Sequence, residues 1–138
     1  MGYKWNPLSS SLDYFSDTAS STESLVISRI AGENISSIKV VYLNNSTDCM
    51  LANNTSLSQA TVIGISTSSA ITGGSLNVLS AGVLIDASLV FAVNQLVFLD
   101  INGNMTTTQP ASGSYLTQIG FGLGAGSMYI KIGTPRLL

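Results

Sequence analysis

Seven carboxylates and one thiol are the strongest candidates for chemistry in this chain of 138 residues, which has no histidine. Without imidazole the chain lacks the commonest general base near neutral pH. It also lacks the group on which most nucleophilic triads and transition-metal sites depend. Paired carboxylates can still hydrolyse a glycosidic bond, one acting as acid and the other as base or nucleophile. The acids are Asp13, Asp17, Glu23, Glu33, Asp48, Asp86 and Asp100, and most stand beside turn or linker residues. Solvated loop positions explain them better than an active site. Cys49 is the only cysteine, so no disulfide forms within the chain and no CxxC spacing suggests zinc. It reads as a small, reduced, half-buried apolar residue. We assign no catalytic residue, no metal ligand and no cofactor, and expect no enzyme.

Two loops imitate ligand sites. Asp100-Ile101-Asn102-Gly103-Asn104 opens like an oxygen-rich calcium loop. The remaining spacing and the distal Glu are missing, however. Asn102-Gly103 between two apolar runs is the signature of a hairpin, because a type I′ turn needs positive φ at both central positions. The run Gly120-Phe121-Gly122-Leu123-Gly124-Ala125-Gly126 resembles a phosphate-binding loop only in its glycines. It has neither the strand-to-helix context nor the following Lys-Ser/Thr of a P-loop. Its glycines read instead as places where a strand bends or backbone approaches backbone.

The elements that carry these residues are strands. From Ser24 onward, short β-branched runs alternate with Gly, Asn and Ser: Ser24 to Ile30, Ser37 to Leu43, Cys49 to Ala52, Ala60 to Ile65, Leu76 to Leu79 and Val83 to Ala87. Gln95 to Leu99, Met105 to Thr108, Leu116 to Phe121 and Met128 to Ile132 follow. Turn signals at this spacing predict an all-β fold, a compact β-barrel or β-sandwich of about eight to ten short strands. No window carries the period and caps of a long amphipathic helix. There is also an echo at a constant offset. Val41-Tyr42-Leu43 returns as Val97-Phe98-Leu99, and Ile63-Gly64-Ile65 as Ile119-Gly120-Phe121. Two related halves around one core and chance similarity in a low-complexity β sequence both account for it.

Composition narrows the function classes. Apolar residues make up 45% of the chain and charged residues only 9%, well below the roughly 25% of ordinary soluble proteins. Ser, Thr and Asn supply about a third of the residues instead. A surface of hydroxyls and amides offers little repulsion to a neighbouring copy, which suits a protein that is covered or packed. A homo-oligomer is therefore expected. The cations Lys4, Arg29, Lys39, Lys131 and Arg136 are scattered and form no stripe for a phosphate backbone, so no nucleic acid is expected. The segment Leu76 to Leu99 is long and apolar enough to suggest a membrane span, but Asp86 near its middle and the lack of basic flanks argue against one. Two or three consecutive strands explain it, and no membrane is expected. The start, Met-Gly-Tyr-Lys-Trp-Asn-Pro, has no apolar core of a secretory signal, so synthesis is expected in the cytoplasm.

Residues 1–22 differ from the body, 23–138. Leu8-Ser9-Ser10-Ser11-Leu12-Asp13 and Ser16 to Thr22 show no periodicity and many small polar residues. This reads as a flexible extended arm preceding a β-barrel or β-sandwich module. Yet the arm holds the only Trp, in Tyr3-Lys4-Trp5-Asn6-Pro7-Leu8. An aromatic kept outside a core anchors either its own domain or a partner's pocket. Pro7 keeps Asn6 extended, which lowers the entropy lost when a short peptide docks. Tyr3, Lys4, Trp5, Asn6, Pro7 and Leu8 are the expected partner-binding residues.

The Lys4-Trp5-Asn6-Pro7-Leu8 run, followed by Leu12-Asp13, resembles a short motif opening virion-associated proteins of tailed phages. The body resembles small head-decoration (cement) and head-fibre proteins. The residues concerned are Ala31-Gly32-Glu33-Asn34-Ile35, Val40-Val41-Tyr42-Leu43, Ile63-Gly64-Ile65, Ala81-Gly82-Val83-Leu84 and Gln118-Ile119-Gly120-Phe121. The resemblance spans nearly the whole chain through short apolar motifs. It implies a β-rich structural module of the virion surface, often a trimer, that binds the outer capsid or a fibre attachment point. With the arm as attachment device, the expected partner is the major capsid protein or another virion structural protein. Ser/Asn-rich loops replace the family's charged ones. The other reading is a tail or fibre module that binds host-surface carbohydrate. Tyr42, Phe98, Tyr115 and Tyr129 all fall in strand runs expected in the core, which counts against it. A carboxylate hydrolase comes third.

Overall fold

The computed structural model describes residues 24–138. These form β1 (Leu25–Ala31), β2 (Val40–Leu43), β3 (Asp48–Leu51), the single helical turn α1 (Leu57–Ala60), β4 (Val62–Ser66) and β5 (Ser75–Ile85). There follow β6 (Leu96–Leu99), β7 (Met105–Thr106), β8 (Tyr115–Leu116), β9 (Gln118–Gly124), β10 (Ser127–Lys131) and β11 (Arg136–Leu137). The strands of the main sheet run in the order β1-β3-β2-β4-β5-β10-β9-β6-β7, and β1 pairs again with β5. That second pairing closes the first five strands into a barrel, with β1 parallel to β3 and antiparallel to β5. The all-β expectation holds: a five-stranded barrel carries a second sheet, and β5 belongs to both.

Local chemistry accounts for the departures from the expected strands. The runs at Leu76 and Val83 are one strand of 11 residues, β5. Opposite it, Leu25 pairs with Ala81 but Val26 with Leu79, so Ser80 is a bulge residue. A bulge swaps which residues of a strand face a given side. Leu76 and Val78 accordingly point into the barrel, while Leu84 points into the second core. The run at Leu116 is split by Thr117, which is fully buried and donates its hydroxyl to the Ala60 carbonyl at 2.8 Å. β2 begins at Val40 because Ile38, with φ 61, leaves the extended region.

There are two cores. Ala31, Ile35, Val41, Cys49, Leu76 and Val78 fill the barrel. The larger one lies between the barrel's outer face and the second sheet. Val40, Tyr42, Ile65 and Leu79 meet Val97, Leu99, Ile119, Met128 and Ile130 there. Each fully buried aliphatic side chain contributes about 1.5–3 kcal/mol. Cys49 was expected to be half-buried. It is fully buried, because closure by β1 covers the face on which it lies.

The sequence echo is a repeat of register. In the first half Leu43 pairs with Cys49 and Tyr42 with Met50; in the second, 56 positions on, Leu99 pairs with Met105 and Phe98 with Thr106. Val41 pairs with Gly64 and Tyr42 with Val62, leaving Ile63 as a bulge; Val97 pairs with Gly120 and Phe98 with Gln118, leaving Ile119 as a bulge. The turns match as well: Asn44 N donates to Asp48 O, and Asp100 N to Asn104 O, both at 2.9 Å. Both bulges need glycine for the same reason. A Cβ on Gly64 would strike the Leu79 carbonyl, and one on Gly120 the Tyr129 carbonyl. Chance similarity of composition does not reproduce bulges and turn bonds in register. The body is a duplication in which β2, β3, β4 and β5 return as β6, β7, β9 and β10.

The halves are riveted at the hairpin between β6 and β7. Asn102 and Gly103 have φ 54 and 73, as the hairpin reading requires. Gly103 donates to Ala52 O at 2.7 Å and accepts from Val40 N at 2.8 Å. A Cβ there would sit 2.8 Å from both the Val40 oxygen and a Leu51 methyl. Gly103→Ala therefore combines backbone strain with overpacking and should cost about 2 kcal/mol or more. A thermal melt should show Tm lowered by roughly 5–10 °C; an unchanged Tm would refute the rivet. Burial, reinforced by Asp48, pushes the Cys49 thiol above its ordinary pKa. Iodoacetamide should leave Cys49 unmodified in native protein and label it in denaturant, as read by mass spectrometry.

Candidate functional site

The described carboxylates do not converge. Among the described residues no three His, Cys, Asp or Glu side chains come together as a metal site would require. Glu33 accepts the Leu51 N–H at 2.9 Å and so fastens the end of β3. Asp48 accepts from the Thr47 hydroxyl at 3.1 Å within the first hairpin. Asp86, exposed after β5, accepts the Ser88 N–H at 2.9 Å and hydroxyl at 2.6 Å. Those bonds hold its carboxyl below the usual carboxylate range. Any stability it contributes is present above the ordinary carboxylate pKa and lost as pH falls through the depressed one. At the Asp100 loop, the Asn104 amide oxygen already accepts from the Lys39 ammonium, and the loop closes on its own backbone, Asn104 N to Ile101 O at 3.0 Å. No helix among the described residues is long and apolar enough to cross a membrane.

Tyr3, Lys4, Trp5, Asn6, Pro7 and Leu8 lie outside the described residues. The first described residue is Ser24. Ser24 lies against Gly82 in the middle of β5, and a cleft of about 330 Å³ opens beside it, lined by Ser24, Val26, Val83, Ile85 and Asp86 among others.

The feature of the body that strand patterns alone did not reveal is an apolar outer face on the second sheet. Pairing sets Val83 beside Tyr129, Tyr129 beside Phe121 and Phe121 beside Leu96. The row crosses β5, β10, β9 and β6, roughly 14 Å at the usual strand spacing. Leu84, Met128, Ile130 and Val97 alternate with it and fill the core, so the row points to solvent. Leu96 is 48% exposed, Tyr129 38% and Val83 36%. The Phe121 and Tyr129 rings stack with centroids 5.4 Å apart and planes inclined by 28°. Tyr129, expected in the core, is thus a surface residue: the alternation of β10 gives the core Met128 and Ile130 instead. The missed signal was that Val83-Leu84-Ile85 and Met128-Tyr129-Ile130 are apolar on both faces, which antiparallel strands show when both faces are covered.

No family model matches the chain, and no curated protein does. Among solved structures the chain is similar to the head fiber gp8.5 N base of bacteriophage phi29. The TM-score is 0.48 and the identity 13%, over 84% of this chain and 99% of that one.

A loop already closed by its own bonds gains nothing from a divalent cation. EDTA should leave the melting curve of the intact protein unchanged. A fall of several degrees, reversed by calcium, would place an ion at Asp100.

Proposed function

We propose that this chain is a structural protein of a phage virion that decorates or reinforces the head, attached through its N-terminal arm. The observation that carries the reading is the body's surface, which pairs very little charge with an apolar row on its outer sheet. Such a surface suits permanent coverage in an assembly better than free diffusion. The resemblance of Lys4-Trp5-Asn6-Pro7-Leu8 and of the body motifs to virion proteins supplies the kind of assembly. On this reading the partner is the major capsid protein or another virion structural protein, the location is the virion surface, and the chain is no enzyme. Copies also associate with one another, a trimer being favoured by the resemblance.

A second reading has one observation in its favour. The stack of half-buried Phe121 on exposed Tyr129 is the kind of platform on which a sugar ring can lie. The row contains no carboxylate or amide to fix the sugar's hydroxyls, which leaves head decoration the better account.

Co-sedimentation with particles lacking the protein tests the arm. Deleting residues 1–22 should leave the β-type circular dichroism and cooperative melting of the body nearly unchanged while abolishing or greatly weakening attachment. Trp5→Ala should reproduce much of that loss, because a buried anchor aromatic is worth ~2 kcal/mol or more, roughly thirtyfold in affinity. Lys4→Ala should cost less, since a rim ion pair contributes about 0–1 kcal/mol. Wild-type affinity in the deletion would assign attachment to the β surface instead.

A further inference from the structure

We infer that the row Val83–Tyr129–Phe121–Leu96 is the surface on which a second copy of this chain packs. The inference rests on the proposed self-association and names the face that carries it. Its basis is the duplication. In the first half the outer face presents Val40, Tyr42, Ile65 and Leu79, and all four are buried, at 0, 7, 0 and 3% exposure, beneath the second sheet. The repeat places Leu96, Phe98 and Phe121 at the positions of Val40, Tyr42 and Ile65. Tyr129 pairs with Phe121 as Leu79 pairs with Ile65, so it takes the place of Leu79. The same face therefore occurs twice. Once it is covered by an apolar sheet, and once it is open.

The occupant follows from what the face offers. The four residues of the row carry no ionisable carboxylate or amine, and the cation on the same face of β10, exposed Lys131, stands at its edge beyond Tyr129. An apolar patch that lies flat across four strands complements itself. Such a contact pairs two copies about a two-fold axis, so this face predicts a dimer where the resemblance favours a trimer. Two sheets meeting face to face, about 10 Å apart, is the arrangement already present inside the chain between the barrel and the second sheet. The rigid Phe121–Tyr129 stack supplies the aromatic centre that such interfaces concentrate. A chain with only 9% charged residues adds little long-range repulsion between copies.

The test is sedimentation velocity of the full chain across a concentration series. Tyr129→Glu and Phe121→Lys are compared with Ile71→Glu, an exposed position near the opposite end of β5. Wild type should sediment as an oligomer. Each face variant should weaken self-association about a hundredfold or more, since burying one unpaired charge per copy opposes the contact. Ile71→Glu should behave as wild type. Circular dichroism and melting curves of the variants exclude loss of fold. Should a face variant unfold, the milder Leu96→Ser gives the same readout at a site that is nearly half exposed. Face variants that are folded and assemble as wild type does would overturn this surface while leaving self-association intact. A wild-type monomer at high micromolar concentration would overturn self-association itself. A monomer whose Tyr129 becomes protected by a host polysaccharide would transfer the face to carbohydrate.

Discussion

The seam between the barrel's outer face and the inner face of the second sheet is the contact on which the rest of the body depends. Val40, Tyr42, Ile65 and Leu79 on one side meet Val97, Leu99, Ile119 and Met128 on the other. β5 runs through both layers, and its bulge at Ser80 lets one strand feed the barrel core and then the seam. Without that change of face, Leu84 would point away from the core it now completes. The hairpin at Gly103 then fixes the seam at its far side by bonding backbone to backbone across the halves. Packing supplies the energy here, and the bulge and the rivet supply the register.

Much of the architecture was legible because each strand leaves a local trace. Nearly every apolar run between turn residues is a strand, and the hairpin at Asn102-Gly103 follows from the φ those residues tolerate. The echo at 56 positions was visible as well, although only pairing separates duplication from coincidence. What stayed hidden was non-local. Closure by β1 pairing with both β3 and β5 leaves no local signature, so Cys49 was expected at the margin of a core rather than inside a closed barrel. Which face of β10 is inward was equally hidden, because Met128, Tyr129 and Ile130 are all apolar. Alternation identifies a buried face only when the other face is polar. The arm residues Tyr3 to Leu8 remain a reading of the sequence alone.

The duplication has a consequence that composition could not supply. The halves stack front to back, with the outer face of the first against the inner face of the second. A stack built this way has two unlike ends, as in repeat proteins, where terminal units need caps. One end is capped. β1 lies along the first half, pairing at once with β3 and β5, and with Ala31 it seals the inner face over Cys49 and Val78. Among the described residues the second half has no counterpart of β1. Its outer face keeps the apolar residues that the repeat places there, and no other described strand covers them.

That asymmetry joins the two proposals. Ser24, the first described residue, lies against Gly82 and so next to Val83 of the open row, which sets the proposed contact between copies beside the start of the described chain. The opposite end, around Ile35 and Ala70, is closed by its own backbone bridge. A surface decorating a capsid has to face its support and its neighbours while exposing an inert remainder. Here the remainder is rich in Ser, Thr and Asn, residues that stay hydrated without charge. On the proposed self-association, low charge and the open row serve one requirement, that copies approach with little to repel them and one apolar face to bury.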